Sequence, residues 1–175
     1  MNIIIFESEK EQKKIIQAKI KHVAAGHLSG LFGYRIHPIR KTLQFHNGLD
    51  IALPIGTPLH SPLAGCRITK IWEDKLNGKA IRISMPLYYE VDNIQHNCPI
   101  LGISVAHLED WDGYEGGILG QGEVFAHTGN TGASTGPHAH ICFWQRVDDK
   151  RTAVDPLPWL ANAVGIKEVP VRSQE

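Results

Sequence analysis

Runs of this chain alternate apolar and polar residues with a period of two, and glycine-bearing turns separate them. The runs are Arg67-Ile68-Thr69-Lys70-Ile71-Trp72, Ala80-Ile81-Arg82-Ile83-Ser84-Met85 and Gly102-Ile103-Ser104-Val105-Ala106-His107-Leu108. A period of two sends successive side chains to opposite faces, which is the signature of a half-buried strand. Turn signals fall at Leu63-Ala64-Gly65, Leu76-Asn77-Gly78, Asp112-Gly113 and Gly129-Asn130-Thr131-Gly132. Short strands at this spacing predict a mainly β domain, an antiparallel sandwich or open barrel. The 175 residues suffice for one such domain with a core of its own.

The ends read differently. Ser8 and Glu11 match a capping box, and Ile16, Ile20 and Val23 share one stripe, so a helix is expected over 7–23. Its narrow apolar face suits packing on the domain better than a membrane surface or a partner. The expected organisation is an N-terminal helical extension over 1–27, one domain over 28–160 closed by Asp155-Pro156-Leu157-Pro158-Trp159-Leu160, and a polar tail over 161–175.

Composition removes several function classes. A formal net charge of zero gives no basic excess for nucleic acid. The three cysteines, Cys66, Cys98 and Cys142, are odd in number and widely spaced, against a disulfide scaffold or a cysteine zinc knuckle. No stretch approaches the ~20 apolar residues of a membrane span. Ile3-Ile4-Ile5-Phe6 is shorter than the ~7–15-residue core of a secretory signal.

The ten histidines carry the chemistry. In Phe45-His46-Asn47-Gly48-Leu49-Asp50 an imidazole and a carboxylate stand four apart, on one face if the segment is extended. In Gly136-Pro137-His138-Ala139-His140 two imidazoles stand two apart, again on one face. A sheet that folds these faces together builds a nitrogen and oxygen site suited to zinc, and three protein ligands leave a position for water. Spacing alone does not say whether His138 or His140 binds metal.

Phe32-Gly33-Tyr34-Arg35-Ile36-His37-Pro38-Ile39, then Phe45 to Ala52 and Gly56-Thr57-Pro58, resemble the lysostaphin/LytM-type zinc peptidases. Ser104-Val105-Ala106-His107-Leu108 resembles that family's Tyr-Ala-His-Leu block. Gly129-Asn130-Thr131-Gly132, Ser134 to His140 and Val154-Asp155-Pro156 follow in family order. The resemblance covers about residues 30–160. It implies the duplicated-hybrid-motif fold and a zinc endopeptidase acting on peptide stems or cross-links of bacterial peptidoglycan. It implies Zn2+ on His46, Asp50 and His140, with His107 and His138 as catalytic histidines that do not bind it. His138 has the leading claim as general base, and His107 the oxyanion and positioning role, though each could do the other's work.

The remaining histidines, His22, His27, His37, His60, His96 and His127, have no nameable partner in sequence. Tyr34 and Arg35 suit either the groove wall or a brace for the loop. Cys142 departs from the acidic residue common in the family, and a buried thiol is expected there rather than a fourth ligand. The segment 86–98 is longer than the expected turn, so an inserted hairpin flanking the cleft is expected. The rival readings are a non-catalytic wall-binding or amidase-activating module, and a phosphocarrier that uses histidines as phosphoryl acceptors. Peptidoglycan lies outside the membrane, so phage release, a dedicated export system or a leader missing from this sequence would deliver the protein.

Overall fold

The computed structural model describes residues 26–37, 41–91 and 94–160. The expected helix over 7–23 and the tail over 161–175 lie outside the described residues. The strands are β1 (His27–Gly30), β2 (Gly33–Ile36), β3 (Leu43–His46), β4 (Leu49–Ala52), β5 (Pro58–His60), β6 (Cys66–Asp74) and β7 (Gly78–Ser84). They continue as β8 (Tyr88–Val91), β9 (Ile94–Asn97), β10 (Gly102–Trp111), β11 (Ile118–Leu119), β12 (Val124–Thr128), β13 (His138–Val147) and β14 (Lys150–Val154). A single-turn helix, α1 (Leu157–Leu160), closes the domain.

The main sheet runs β1-β4-β13-β10-β7-β6-β11, antiparallel throughout. Two ten-residue strands turn it into a sandwich by changing partners along their length. The first half of β13 pairs with β4 and the second with β14. β10 pairs with β7 and β13 through Gly102 to Ala106, then with β12 through Leu108 to Trp111. Two small hairpins, β2–β3 and β8–β9, stand apart from it. The mainly β antiparallel expectation therefore holds.

Alternation sorts the sheet into two faces. Leu49 and Ile51 on β4, Ile81 and Ile83 on β7, Ile103 and Val105 on β10, and Ile141 and Phe143 on β13 are buried on the core side. Each buried side chain of this size contributes about 1.5–3 kcal/mol. The intervening residues, Asp50, Arg82, Ser104, His140 and Cys142, turn to the other face. Neighbouring strands hold them in rungs: Asp50 opposite His140 opposite Ala106, and Cys142 opposite Ser104 opposite Arg82.

Two turns matter to the site. Asp74 caps the β6–β7 turn by accepting from the backbone N–H of Leu76 (2.8 Å) and Asn77 (2.7 Å). Gly78 follows at φ +61°, and a Cβ there would collide with Thr131. Two glycine turns, 76–78 and 129–132, are thus packed against each other. The β13–β14 hairpin turns on Asp148 and Asp149, both at positive φ (47° and 56°), as the twist of a two-residue loop requires.

Candidate metal centre

His46 is the last residue of β3, and Asn47-Gly48 carry the chain into β4, where Asp50 lies directly opposite His140. Gly48 is required for close approach: a Cβ there would lie 2.5 Å from the Ile141 carbonyl and 2.9 Å from the His140 ring. The glycine between imidazole and carboxylate lets the link pass beneath His140.

The donor atoms converge. His46 Nε2 lies 3.1 Å from Asp50 Oδ1 and 3.0 Å from His140 Nδ1, and His140 Nδ1 lies 2.8 Å from the same oxygen. The outer nitrogens fix the tautomers. His46 Nδ1–H donates to the Leu31 carbonyl at 2.7 Å, which leaves a lone pair on Nε2. His140 Nε2–H donates to Asn47 Oδ1 at 3.2 Å, which leaves a lone pair on Nδ1. Two imidazole lone pairs and a carboxylate oxygen therefore face one point, an arrangement that a cation relieves. Ligand atoms around tetrahedral zinc, with bonds of about 2.0–2.1 Å, stand roughly 3.3 Å apart, so a small expansion of this trio accepts it. The donor set fits Zn2+, and these three residues form the metal-competent cluster among the described residues.

Charge states suit that task. Burial opposes the Asp50 charge, but hydrogen bonds and positive charge from His140 and His46, supplied when those rings carry a second proton, outweigh it and hold the carboxyl well below the usual range; a bound cation would take over that role beside neutral rings. Burial lowers His140, despite the opposing pull of Asp50, so it is neutral and free to donate a lone pair.

The other two histidines face the same point from the groove side. His138 Nδ1–H donates to the Gly136 carbonyl at 2.8 Å, with the Ser134 hydroxyl at 3.1 Å, and Nε2 lies 3.7 Å from Asp50 Oδ1. His107 Nδ1–H donates to the Thr131 carbonyl at 2.8 Å. Its ring centroid lies 4.6 Å from that of His138. Burial lowers its pKa against the pull of that hydrogen bond. His107 reaches the site only through a bulge. The β7–β10 register shifts between Val105 and Leu108, and His107 takes φ +64°. Regular alternation would have sent it to the core side with Val105.

Arg35 braces the site. Its Nη2 lies 2.9 Å from Asp50 Oδ2, on the side of the carboxylate away from the imidazoles. Gly30 makes room, because a Cβ there would strike both partners. Nothing in the sequence paired Arg35 with Asp50, since the contact crosses from the β2–β3 hairpin to the main sheet. With Arg35 32% exposed, breaking this pair should lower the stability of metal-free protein by about 1–2 kcal/mol. Urea unfolding of Arg35→Gln measures it, and a change below about 0.5 kcal/mol, the ordinary surface range, would show that the contact holds nothing.

Cys142 lies behind His140, with Sγ 3.1 Å from Nε2 and 3.5 Å from Asn47 Oδ1. It is on the opposite edge of the ring from the converging donors, and burial pushes the thiol up to about 12. It is a buried thiol, as expected, and Asn47 is the acceptor it shares with His140. The 86–98 segment does form a hairpin, β8–β9, but its position corrects the expectation. Its described residues pack beside Leu63, Ala64 and Gln121 and do not line the groove, and Tyr89 is drawn into the core. The groove, of about 860 Å3, is walled instead by the β2–β3 hairpin, by the 133–138 loop and by the site face of the sheet. His60 and His127 have local partners, the Gly122 carbonyl at 2.9 Å and Asp110 at 2.6 Å.

Comparison with known proteins identifies the family. The model of Peptidase family M23 matches residues 44–156. The DD-carboxypeptidase/endopeptidase Mpg of Neisseria meningitidis serogroup B is 35% identical over 134 residues, 74% of this chain and 28% of that protein. The peptidoglycan DD-endopeptidase ShyA of Vibrio cholerae is 30% identical over 106 residues, 61% of this chain and 22% of that protein. The chain thus spans about a quarter of the length of these relatives. A zinc-containing peptidase from Vibrio cholerae superposes with a TM-score of 0.59 at 25% identity, over 77% of this chain and 38% of that one. With the match extending over most of its length, and with His46, Asp50, His107, His138 and His140 all inside the matched span, this chain belongs to peptidase family M23.

Proposed function

We propose that the chain is a zinc-dependent endopeptidase of the bacterial cell wall, with residues 28–160 as its peptidase domain, hydrolysing peptide stems or cross-links of peptidoglycan. The observation that carries the reading is the convergence of His46 Nε2, Asp50 Oδ1 and His140 Nδ1 on one point, with His138 and His107 beside it in an open groove. His46, Asp50 and His140 would hold Zn2+. When bound, the ion supplies Lewis acidity, polarising a scissile carbonyl and acidifying water toward neutral pH.

The protein's own groups do the rest. His138, with its proton pinned on Nδ1 by Gly136, turns an unprotonated Nε2 toward the site and can take the proton of the attacking water. The resulting imidazolium can return that proton to the leaving amine. His107 is held in the same tautomer by Thr131, so its Nε2 also accepts in the resting state. It positions the water or substrate, and can donate to the oxyanion when its Nε2 carries a proton taken from bulk solvent. Arg35 occupies Asp50 Oδ2 and leaves Oδ1 for the ion.

Among the described residues no helix is long and apolar enough to cross a membrane. We place the action at the cell wall. The test is mass spectrometry of fragments released from purified peptidoglycan by the zinc-loaded protein. New amine and carboxyl ends at one type of peptide bond, abolished by a chelator and restored by Zn2+, are expected. Wall peptides left intact by fully loaded protein would overturn the reading.

A further inference from the structure

The site face of the sheet continues past the metal centre into a wall of cations and indoles. On the rung next to His140, Cys142, Ser104, Arg82 and Lys70 lie side by side across β13, β10, β7 and β6. Arg82 stands between two tryptophans, with its guanidinium 5.5 Å from the Trp72 ring and 5.9 Å from the Trp144 ring. Arg151 on β14 covers Trp144 at 4.4 Å, and Lys70 covers Trp72 at 5.4 Å. The Ser104 hydroxyl fixes the pair by accepting from Arg82 Nε (3.0 Å) and Trp144 Nε1 (2.9 Å).

Among the described residues, none of these three cations forms an ion pair with a carboxylate. The nearby acids are committed elsewhere. Asp74 accepts from its own turn and from Trp72 Nε1, and Glu115 accepts from the Ile71 N–H. Arg82 spends its Nε on Ser104, which leaves its two terminal nitrogens, the fork that matches a carboxylate bidentately. Burial lowers Arg151, and the charge of Arg82 lowers it further: two guanidiniums in mutual repulsion, both relieved by one anion. In a chain of zero formal net charge, this concentration of unpaired positive charge, with Lys70 and Arg82 lining the groove and Arg151 beside them across Trp144, is a recognition feature.

We propose that Arg82 and Arg151, framed by Trp72 and Trp144, form a subsite for a carboxylate of the peptide substrate. The proposal rests on the peptidase reading and narrows its substrate to peptides carrying a free acid beyond the bond cut. Two strand spacings across and two residues along place Arg82 roughly 12 Å from His140, about three to four residues of extended peptide. The indoles offer flat apolar floor to the intervening peptide and shield one side of the half-buried Arg82 guanidinium, where a paired charge counts for more.

The test uses zinc-loaded protein carrying His138→Ala, so that peptide is bound and kept whole. It is titrated with a synthetic peptidoglycan stem peptide bearing free carboxylates, and with the same peptide amidated. The free acid should bind about tenfold tighter and shift the indole N–H resonances of Trp72 and Trp144. Adding Arg82→Gln should shrink the preference to about threefold or less, and Arg82→Lys should restore part of it. Arg151→Gln, an exposed position, judges the proposal independently if the Arg82 variants lose zinc. Equal binding of the two peptides, or a preference that survives both Arg82→Gln and Arg151→Gln, overturns the subsite. Failure of wild-type protein to cut any wall peptide would instead remove the peptidase reading, and the binding comparison would still decide the subsite.

Discussion

Asp50→Ala is expected to abolish stoichiometric zinc binding and to reduce wall-peptide hydrolysis at least about a thousandfold. The carboxylate is the single anionic donor of the trio, and its Oδ1 is the atom that both imidazoles approach. Without it two neutral nitrogens remain, and the loss should exceed the roughly 10–100-fold typical of an outer partner. The same variant gives a readout free of catalysis. Ligand binding stabilises a folded protein by about 4 kcal/mol at a thousand times Kd, so added zinc should raise the wild-type melting temperature and leave that of Asp50→Ala unmoved. His46→Ala and His140→Ala should behave alike. A variant that keeps one zinc per chain would remove that side chain from the ligand set.

His138→Ala and His107→Asn should separate metal from turnover. Both are expected to hold zinc at wild-type stoichiometry while kcat falls about 10²–10⁴-fold with little change in KM. Asparagine is the substitution of choice at 107 because the position has φ +64°, a region it tolerates better than alanine. Steady-state kinetics beside metal analysis decides the matter. Near wild-type kcat in either variant would strike that histidine from the proton transfer.

The candidate metal centre was legible in part through simple periodicities, and in part only through the family likeness, which alone chose His140 over His138 as the proposed ligand. His138 and His140 share a face by strand alternation, and the glycine in His46-Asn47-Gly48-Leu49-Asp50 marks a backbone that passes close beneath a ring. His107 was legible only by family likeness. Alternation assigns it to the buried side, and the bulge that rescues it depends on Thr131 and Gly78 from two other turns. Arg35 was ambiguous because its contact depends on how a detached hairpin folds over the sheet. The Asp148-Asp149 turn and strand β14 went unread, since positive φ at two aspartates is rarer than at Asn-Gly. The length of the 86–98 segment signalled an inserted hairpin but not its place, which is set by Tyr89 packing into the core away from the groove. Arg82 and Trp144 meet only after β7, β10 and β13 are aligned.

One strand, β13, presents His140 outward and Ala139, Ile141 and Phe143 inward, and the three inward residues are fully enclosed. The backbone around this proposed ligand is hydrogen-bonded on both sides, to β4 and β10. Its amides should exchange hydrogen only when the whole domain opens. Heat inactivation would then coincide with global melting, with no earlier loosening of the catalytic machinery.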